Sequence, residues 1–416
     1  MKLSFKSLVG KFVLSQQFVA LCAQGAKVAL LAVYLVLSAR SLGAEGYGYV
    51  VVAVSIASLF VQFVGLGSGI ANVREAARDP ATFSAAWGLA LVRYVVSGML
   101  LGSLYLSISF IFTDDVLTSE AWFLVAVSEI LLLPLCMVTA YAFMAYGMVR
   151  LSLLTQIVAP ALKAIALTVF FFHGEGLDVE AYAALMVLST FIAASMVMVL
   201  AFRLLPPIIW PNPAEVWKIR SDILYSVNSL TNQGVAEGSK PLTMTMAGVG
   251  ETGAYGAAMR IVAAASMPIT SVIQSQAFRL FGYGKSIQTA HFVFFSRYAV
   301  VFLAYSFFCL LLLWLLSGYF GEILGPGFES IDSLILILAF WLPAFAIRQL
   351  IGAALTTTDK IKVRIYLDLA SILFFLCLGL YLIPEYGPIG TAVSVVSAEF
   401  FWCFMAIISF KISRFR

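Results

Sequence analysis

Long apolar runs alternate with short polar gaps along the whole chain. An α-helix needs about 20 predominantly apolar residues to cross ~30 Å of hydrocarbon. At that length the runs predict twelve spans, at 12–38, 47–70, 84–112, 120–146, 152–172, 181–205, 222–247, 253–278, 292–318, 332–356, 363–384 and 388–410. The residues between them are too few for a separate soluble domain. The first 30 residues start with a basic stretch but lack a short apolar core followed by a small-residue cleavage site. They predict a retained first span.

One connection stands apart. Residues 203–221 are rich in proline and charge and fall at the midpoint of the 416-residue chain, with six spans on either side. This predicts an N-terminal lobe (1–205), a linker (206–221) and a C-terminal lobe (222–416). From Ala214 the linker has amphipathic spacing, which predicts a segment lying along the membrane surface with Trp210 and Trp217 at headgroup depth. The halves resemble each other weakly. Leu42-Gly43-Ala44-Glu45-Gly46-Tyr47-Gly48 leads into span 2, and Val249-Gly250-Glu251-Thr252-Gly253-Ala254-Tyr255-Gly256 leads into span 8. Gln24-Gly25 and Gln233-Gly234 repeat at nearly the same offset. An even number of spans per half makes the two lobes parallel repeats about an axis along the membrane normal, as in many rocking transporters.

Charge orients the spans. Of 25 Lys and Arg residues, 18 occupy alternate gaps: Lys2, Lys6, Lys11, Arg74, Arg78, Arg150, Arg203, Lys218, Arg220, Arg279, Lys285, Arg297, Lys360, Lys362, Arg364, Lys411, Arg414 and Arg416. Only Arg40 lies in the other gaps, which carry 12 of the 21 acidic residues, including Glu45, Asp114, Asp115, Glu175, Glu251 and Glu329. Short basic loops stay in the cytoplasm, so both termini are expected there, in a plasma (bacterial inner) membrane. Composition agrees: the chain is 62% hydrophobic and 11% charged, against roughly 45–50% and 25% in a soluble domain. The net charge of +4 belongs to these loops and suits anionic membrane lipids, not nucleic acid. All five cysteines lie inside apolar runs, and His173 and His291 are the only histidines, so no zinc or haem site and no cofactor is expected. No phosphate-binding loop of an ATPase is present; Gly65-Leu66-Gly67-Ser68-Gly69 lacks its strand and Lys-Ser/Thr and predicts close packing or a bend.

Ser38-Ala39-Arg40-Ser41-Leu42-Gly43-Ala44-Glu45-Gly46-Tyr47-Gly48, with Gly65-Leu66-Gly67 and Asn72-Val73-Arg74-Glu75 after it, resembles the segment following the first helix of the Wzx-like O-antigen and exopolysaccharide flippases. These belong to the MATE-like multidrug, oligosaccharidyl-lipid and polysaccharide exporter superfamily. The resemblance implies an all-α, two-lobed, V-shaped transporter of twelve helices. It would move a polyprenyl-pyrophosphate-linked glycan outward and act beside polysaccharide polymerase machinery. The peptidoglycan-precursor flippases resemble the chain too, but carry two more C-terminal helices than the twelve spans predicted for it.

Ten charges fall inside the spans: Lys27, Arg93, Lys163, Lys240, Arg260 and Arg348 against Glu129, Glu237, Asp368 and Glu399. Each costs about 2.5–3.5 kcal/mol at mid-bilayer, so they must pair, face a wet cavity or snorkel. Arg93 and Arg348 are placed to snorkel, and Asp368 to snorkel or pair near the basic boundary. Glu237 and Lys240 share a helix face, as a local ion pair or as part of a central cavity, beside Gly234 and Gly238 and a break expected at Pro241. Pro134, Pro160, Pro268 and Pro343 are candidates for further bends. The cation surplus suits an anionic substrate, with Lys27, Arg93, Lys163, Lys240 and Arg260 as binding candidates and Glu237 and Glu399 for proton or cation coupling. A cation-coupled small-molecule antiporter is the alternative, and would want a neutral or negative cavity. A membrane glycan polymerase or ligase usually has a larger external loop than these gaps of about 8–15 residues, and a catalytic role is not expected.

Overall fold

The computed structural model describes the backbone of residues 16–112, 118–172, 178–218, 222–282, 288–357 and 360–414. The charges at Lys2, Lys6, Lys11, Asp114, Asp115, Glu175, Arg220, Lys285 and Arg416, and His173, lie outside the described residues, as do the side chains of Arg279, His291, Arg297, Lys411 and Arg414. All regular elements among the described residues are helices.

Helix Gln16–Val61 carries span 1 and most of span 2 and turns at Gly43 (φ 67°, ψ 179°), a backbone conformation open to glycine. Ser68–Arg78 completes span 2. Span 3 is Phe83–Phe112. Span 4 runs as Ser119–Val125, a π-helical turn at Ala126–Leu132, and Leu133–Ala145. Val149–Phe172 and Val179–Leu204 finish the first lobe as spans 5 and 6. In the second lobe, span 7 is Ile223–Ala247, span 8 Val249–Gly282 and span 9 Gln288–Leu324. Span 10 is the pair Ile331–Leu338 and Trp341–Thr357, bent by 41°. Ile361–Arg414 holds spans 11 and 12 and turns at Gly387 (φ 56°).

Among the described residues, eight helices are long and apolar enough to cross a membrane, nine with the bent pair taken as one. Span 7 is not among them, because its interior carries Asn228, Thr231, Asn232, Gln233, Glu237 and Lys240. A helix that polar must face the protein interior. The molecule is an all-α, multi-pass membrane protein.

Two expectations change. Span 7 runs unbroken through Pro241; neighbouring groups in a packed bundle can satisfy the carbonyl a proline frees. The real interruptions are the turn at 62–67, the π-helical turn, and the bend of span 10, which Pro343 follows within one helical turn. Among the described residues the linker forms the single turn Pro213–Val216, which ends at Trp217 and does not extend into an amphipathic helix. It packs across the start of span 3, where the Ile209 N–H donates to the Ser84 carbonyl at 3.2 Å. Trp210 and Trp217 are exposed. The predicted bend at Gly65-Leu66-Gly67 is present, all three residues having positive φ. An added Cβ at Gly67 would sit 2.0 Å from the Asp222 carbonyl, so glycine is what lets the linker's end close on span 2.

The largest apolar cluster crosses between the lobes: Leu35, Ala39, Tyr47 and Val51 pack with Ala254, Ala258, Phe328 and Ile331. It lies toward the acidic end, where the two similar glycine-containing segments meet. An added Cβ would fall 2.3 Å from Val249 O at Gly48, 2.2 Å from Ala44 O at Gly253, and 2.6 Å from a Val51 methyl at Gly256. Small residues at these positions bring the two backbones into direct contact.

Candidate functional site

The charges inside the bundle sort by partner. Lys163 on span 5 donates to Glu129 Oε1 at 2.7 Å, and Ser128 donates to the same oxygen at 3.0 Å. Glu129 sits in the π-helical turn, which inserts an extra residue and turns it toward span 5. Lys240 holds Glu237 Oε2 at 2.7 Å on span 7, the local ion pair.

Arg93 is 1% exposed and does not snorkel. Its guanidinium donates to Asp222 Oδ2 (2.5 Å) and to the carbonyls of Val216 (3.0 Å), Lys218 (2.9 Å) and Glu215 (3.2 Å). It therefore clasps the linker to span 3 and spends its donors there. Arg348 and Asp368 do not snorkel either. Arg348 donates to Glu399 Oε2 at 2.8 Å, Asp368 Oδ1 at 3.0 Å and the Asn232 carbonyl at 3.2 Å. Asp368 is fully buried and also accepts from the Trp402 indole (2.7 Å) and Thr231 (3.2 Å). Reaching the interface would have left the Glu399 carboxylate buried without a counter-ion, which is costlier than burying the arginine. Arg364, assigned by the charge pattern to a loop, joins this cluster: it donates to Asn232 Oδ1 and Thr356, both at 2.9 Å, and its Nε lies 3.9 Å from Asp368. Its i,i+4 spacing from Asp368 on one helix is the signal the sequence offered; its bond to Asn232 shows only in the approach of spans 7 and 11.

Two intramembrane cations remain without a carboxylate partner among the described residues, Lys27 and Arg260. Arg260 on span 8 reaches across to the first lobe. Its Nη1 donates to the Tyr47 hydroxyl at 2.8 Å, and its guanidinium carbon lies 5.3 Å from the Tyr47 ring centroid. Tyr34, Tyr182 and Glu237 are within its electrostatic reach. Tyr34 and Tyr182 join hydroxyls, and Tyr182 is 3.1 Å from Ser38. Lys27 precedes Tyr34 by seven residues on the same helix face, about 10 Å nearer the basic end. A cavity of about 10 Å³, the size of one water, lies beside Tyr34 and Tyr182, with Lys163 and Ser189 on its wall. Tyr34 and Tyr182 carry no signal in the sequence, whereas Tyr47 stands in the quoted motif. Of the residues the sequence singles out, Lys240 and Glu237 pair on span 7, and Arg260 reaches Tyr47 of the first lobe. Lys163, Arg93 and Glu399 belong to separate ion-paired sites.

At the acidic end a cleft of about 490 Å³ is lined by Ala44, Glu45, Gly248, Glu251, Gly327 and Glu329. Glu329 accepts from the Gly327 N–H at 3.1 Å. Backbone N–H groups, its own and that of Gly327, hold its carboxyl below the usual range. No group of three or more His, Cys, Asp or Glu residues able to hold a metal occurs among the described residues.

The family model described as "Polysaccharide biosynthesis protein" matches residues 13–282, well over half of the chain. None of the curated proteins matches. Among solved structures, the inward-facing conformation of a multidrug resistance MATE family transporter of the MOP superfamily has a TM-score of 0.72 at 14% identity, covering 96% of this chain and 98% of that one. The outward-facing conformation of such a transporter has a TM-score of 0.67 at 14% identity, covering 96% and 95%. A MATE structure in complex with MaL6 has a TM-score of 0.71 at 15% identity, with 96% and 95% covered. At these identities the likeness is one of fold. The chain has the fold of the MATE transporters, and it belongs to the polysaccharide biosynthesis protein family.

Proposed function

We propose that the protein flips a polyprenyl-pyrophosphate-linked oligosaccharide from the cytoplasmic to the outer leaflet of the plasma membrane, by rocking its two lobes. The observation that carries this is the pair of unmatched cations, Lys27 and Arg260, among helices where every other described intramembrane cation holds a carboxylate. A guanidinium grips phosphate oxygens through two parallel donors and an ammonium acts as a point charge. Arg260 takes only a neutral hydroxyl in this state, so an arriving phosphate displaces a weak partner. The basic end of the bundle is then cytoplasmic, and Glu237, beside Lys240 and within reach of Arg260, is the coupling carboxylate closest to the headgroup. The small-molecule antiporter reading fares worse: an organic cation needs a free carboxylate, and Glu129, Glu237, Asp368 and Glu399 each hold Lys or Arg.

The test is the leaflet location of lipid-linked glycan in cells carrying Lys27→Gln/Arg260→Gln. A charge-assisted hydrogen bond is worth about 1.5–3 kcal/mol, so outward delivery should fall by at least about tenfold, with glycan accumulating inside and protein level unchanged. Normal delivery by the double variant would overturn the headgroup assignment.

A further inference from the structure

Arg40 breaks the charge pattern. It is the one basic residue in the acid-rich gaps, and its side chain is exposed, so burial does not explain it. Its guanidinium reaches the other lobe, where Nε donates to the Ile323 carbonyl at 2.9 Å and Nη2 to the Glu322 carbonyl at 3.3 Å. These carbonyls are in the last turn of span 9, Gln288–Leu324. The final carbonyls of a helix have no partner inside it and carry its negative partial charge. Arg40 thus caps a helix of the second lobe from the end of a helix of the first.

The cap sits at the rim of the seam where the two glycine-containing segments interlock. An added Cβ at Gly325 would lie 3.9 Å from Cγ of Arg40, and one at Gly327 would lie 2.9 Å from Cβ of Ala44. Tyr47 meets Phe328 edge-on with ring centroids 6.1 Å apart. Every group on this seam must part if the lobes separate at the acidic end. The apolar and glycine contacts hold by fit alone. Arg40 adds a directional, charge-assisted bond whose acceptors are backbone atoms.

We propose that Arg40 is the latch of the acidic-end gate, capping span 9 while that end is closed and releasing it when the lobes rock open. This rests on the two-lobed rocking reading and not on the identity of the cargo. A proton or a metal is not required: opening exchanges two protein acceptors for water.

The test uses the full chain in native membranes, with the five native cysteines replaced. Glu45→Cys/Gly250→Cys places a thiol pair across the seam, where an added Cβ at Gly250 lies 3.8 Å from Cγ of Glu45. Separately, Val51→Cys, buried behind Gly256, is labelled with a membrane-impermeant maleimide. Adding Arg40→Ala should slow the crosslink and speed labelling of position 51, each by about tenfold, with Arg40→Lys between. Ala183→Cys, buried in the first lobe toward the acidic end, is the control and should stay unlabelled. Unchanged crosslinking and labelling in Arg40→Ala would overturn the latch. So would labelling that rises equally at positions 51 and 183, which makes Arg40 a general support of the fold. Both readouts proceed without substrate, so failure here is separable from failure of the glycan-lipid reading.

Discussion

Replacing Arg348 with methionine isolates the electrostatics of the second lobe. Arg348 bridges Glu399 and Asp368, which are 1% and 0% exposed. Removing one partner of a buried pair costs about 3–5 kcal/mol, most of it the charge left behind. Asp368 keeps Trp402, Thr231 and the Arg364 guanidinium at 3.9 Å, so the stranded group is Glu399. For a chain of 416 residues the loss corresponds to a fall in Tm of roughly 3–6 °C, read on the purified protein in detergent. The informative variant is Arg348→Met/Glu399→Gln. It restores neutrality, leaving Asp368 with Arg364, and should recover to within about 1–2 kcal/mol of the starting protein. Glu399→Gln alone leaves two arginines with one carboxylate and should fall between. If the double variant melts as low as Arg348→Met, charge balance is not what the cluster supplies, and the reasoning fails in favour of packing by the long arginine stem.

Gly67→Ala meets two obstacles, a φ of +78° and a backbone oxygen 2.0 Å from the new methyl. It should cost at least about 1–2 kcal/mol and lift the linker, seen as faster protease cleavage within 206–221; unchanged cleavage would show that the close contact does not hold the linker down. Gly253→Val drives a side chain into the Ala44 carbonyl, 2.2 Å from Cβ. In the Glu45→Cys/Gly250→Cys background it should slow the crosslink more than about tenfold, beyond the loss of a single charge-assisted bond, and reduce export at constant protein level. Export at the normal rate would show that closure does not need the glycine contact.

The span layout was legible because lipid imposes a length and a polarity that leave a one-dimensional trace. The repeat was legible for a related reason: Leu42–Gly48 and Val249–Gly256 carry similar glycines, and those glycines are where the two halves touch. Ion pairs within one helix were legible too, as Glu237 and Lys240 show. What does not show in the sequence is proximity between distant helices. Arg348 and Asp368 have the depth of residues that reach for the interface, because depth along a span is readable while the neighbours across it are not. Arg93 has the marks of a substrate ligand for the same reason, since its partners in the linker lie over 120 residues away. A rule for isolated helices predicts a break at Pro241, and the packed bundle overrides it.

The distribution of contact types bears on how such a molecule moves. The described pairs Lys163 with Glu129, and Arg348 with Glu399 and Asp368, join helices of the same lobe, and Lys240 with Glu237 joins turns of one helix. Arg93 is the exception: beside the linker it pairs with Asp222, the residue that opens the second lobe. Elsewhere across the lobes the cations take neutral partners instead: Arg260 the Tyr47 hydroxyl, Arg40 two carbonyls, Arg74 the Tyr225 hydroxyl at 3.2 Å. Parting a buried ion pair strands a charge at about 3–5 kcal/mol, whereas a cation leaving a neutral acceptor gives up about 1.5–3 kcal/mol and regains water. A rocking transporter needs each lobe stiff and the seam between them easy to reopen. Were the partners exchanged, with a carboxylate facing Arg40 or Arg260 across the seam, closure would deepen on one side and the cycle would stall there. The neutral acceptors therefore matter as much as the cations they meet.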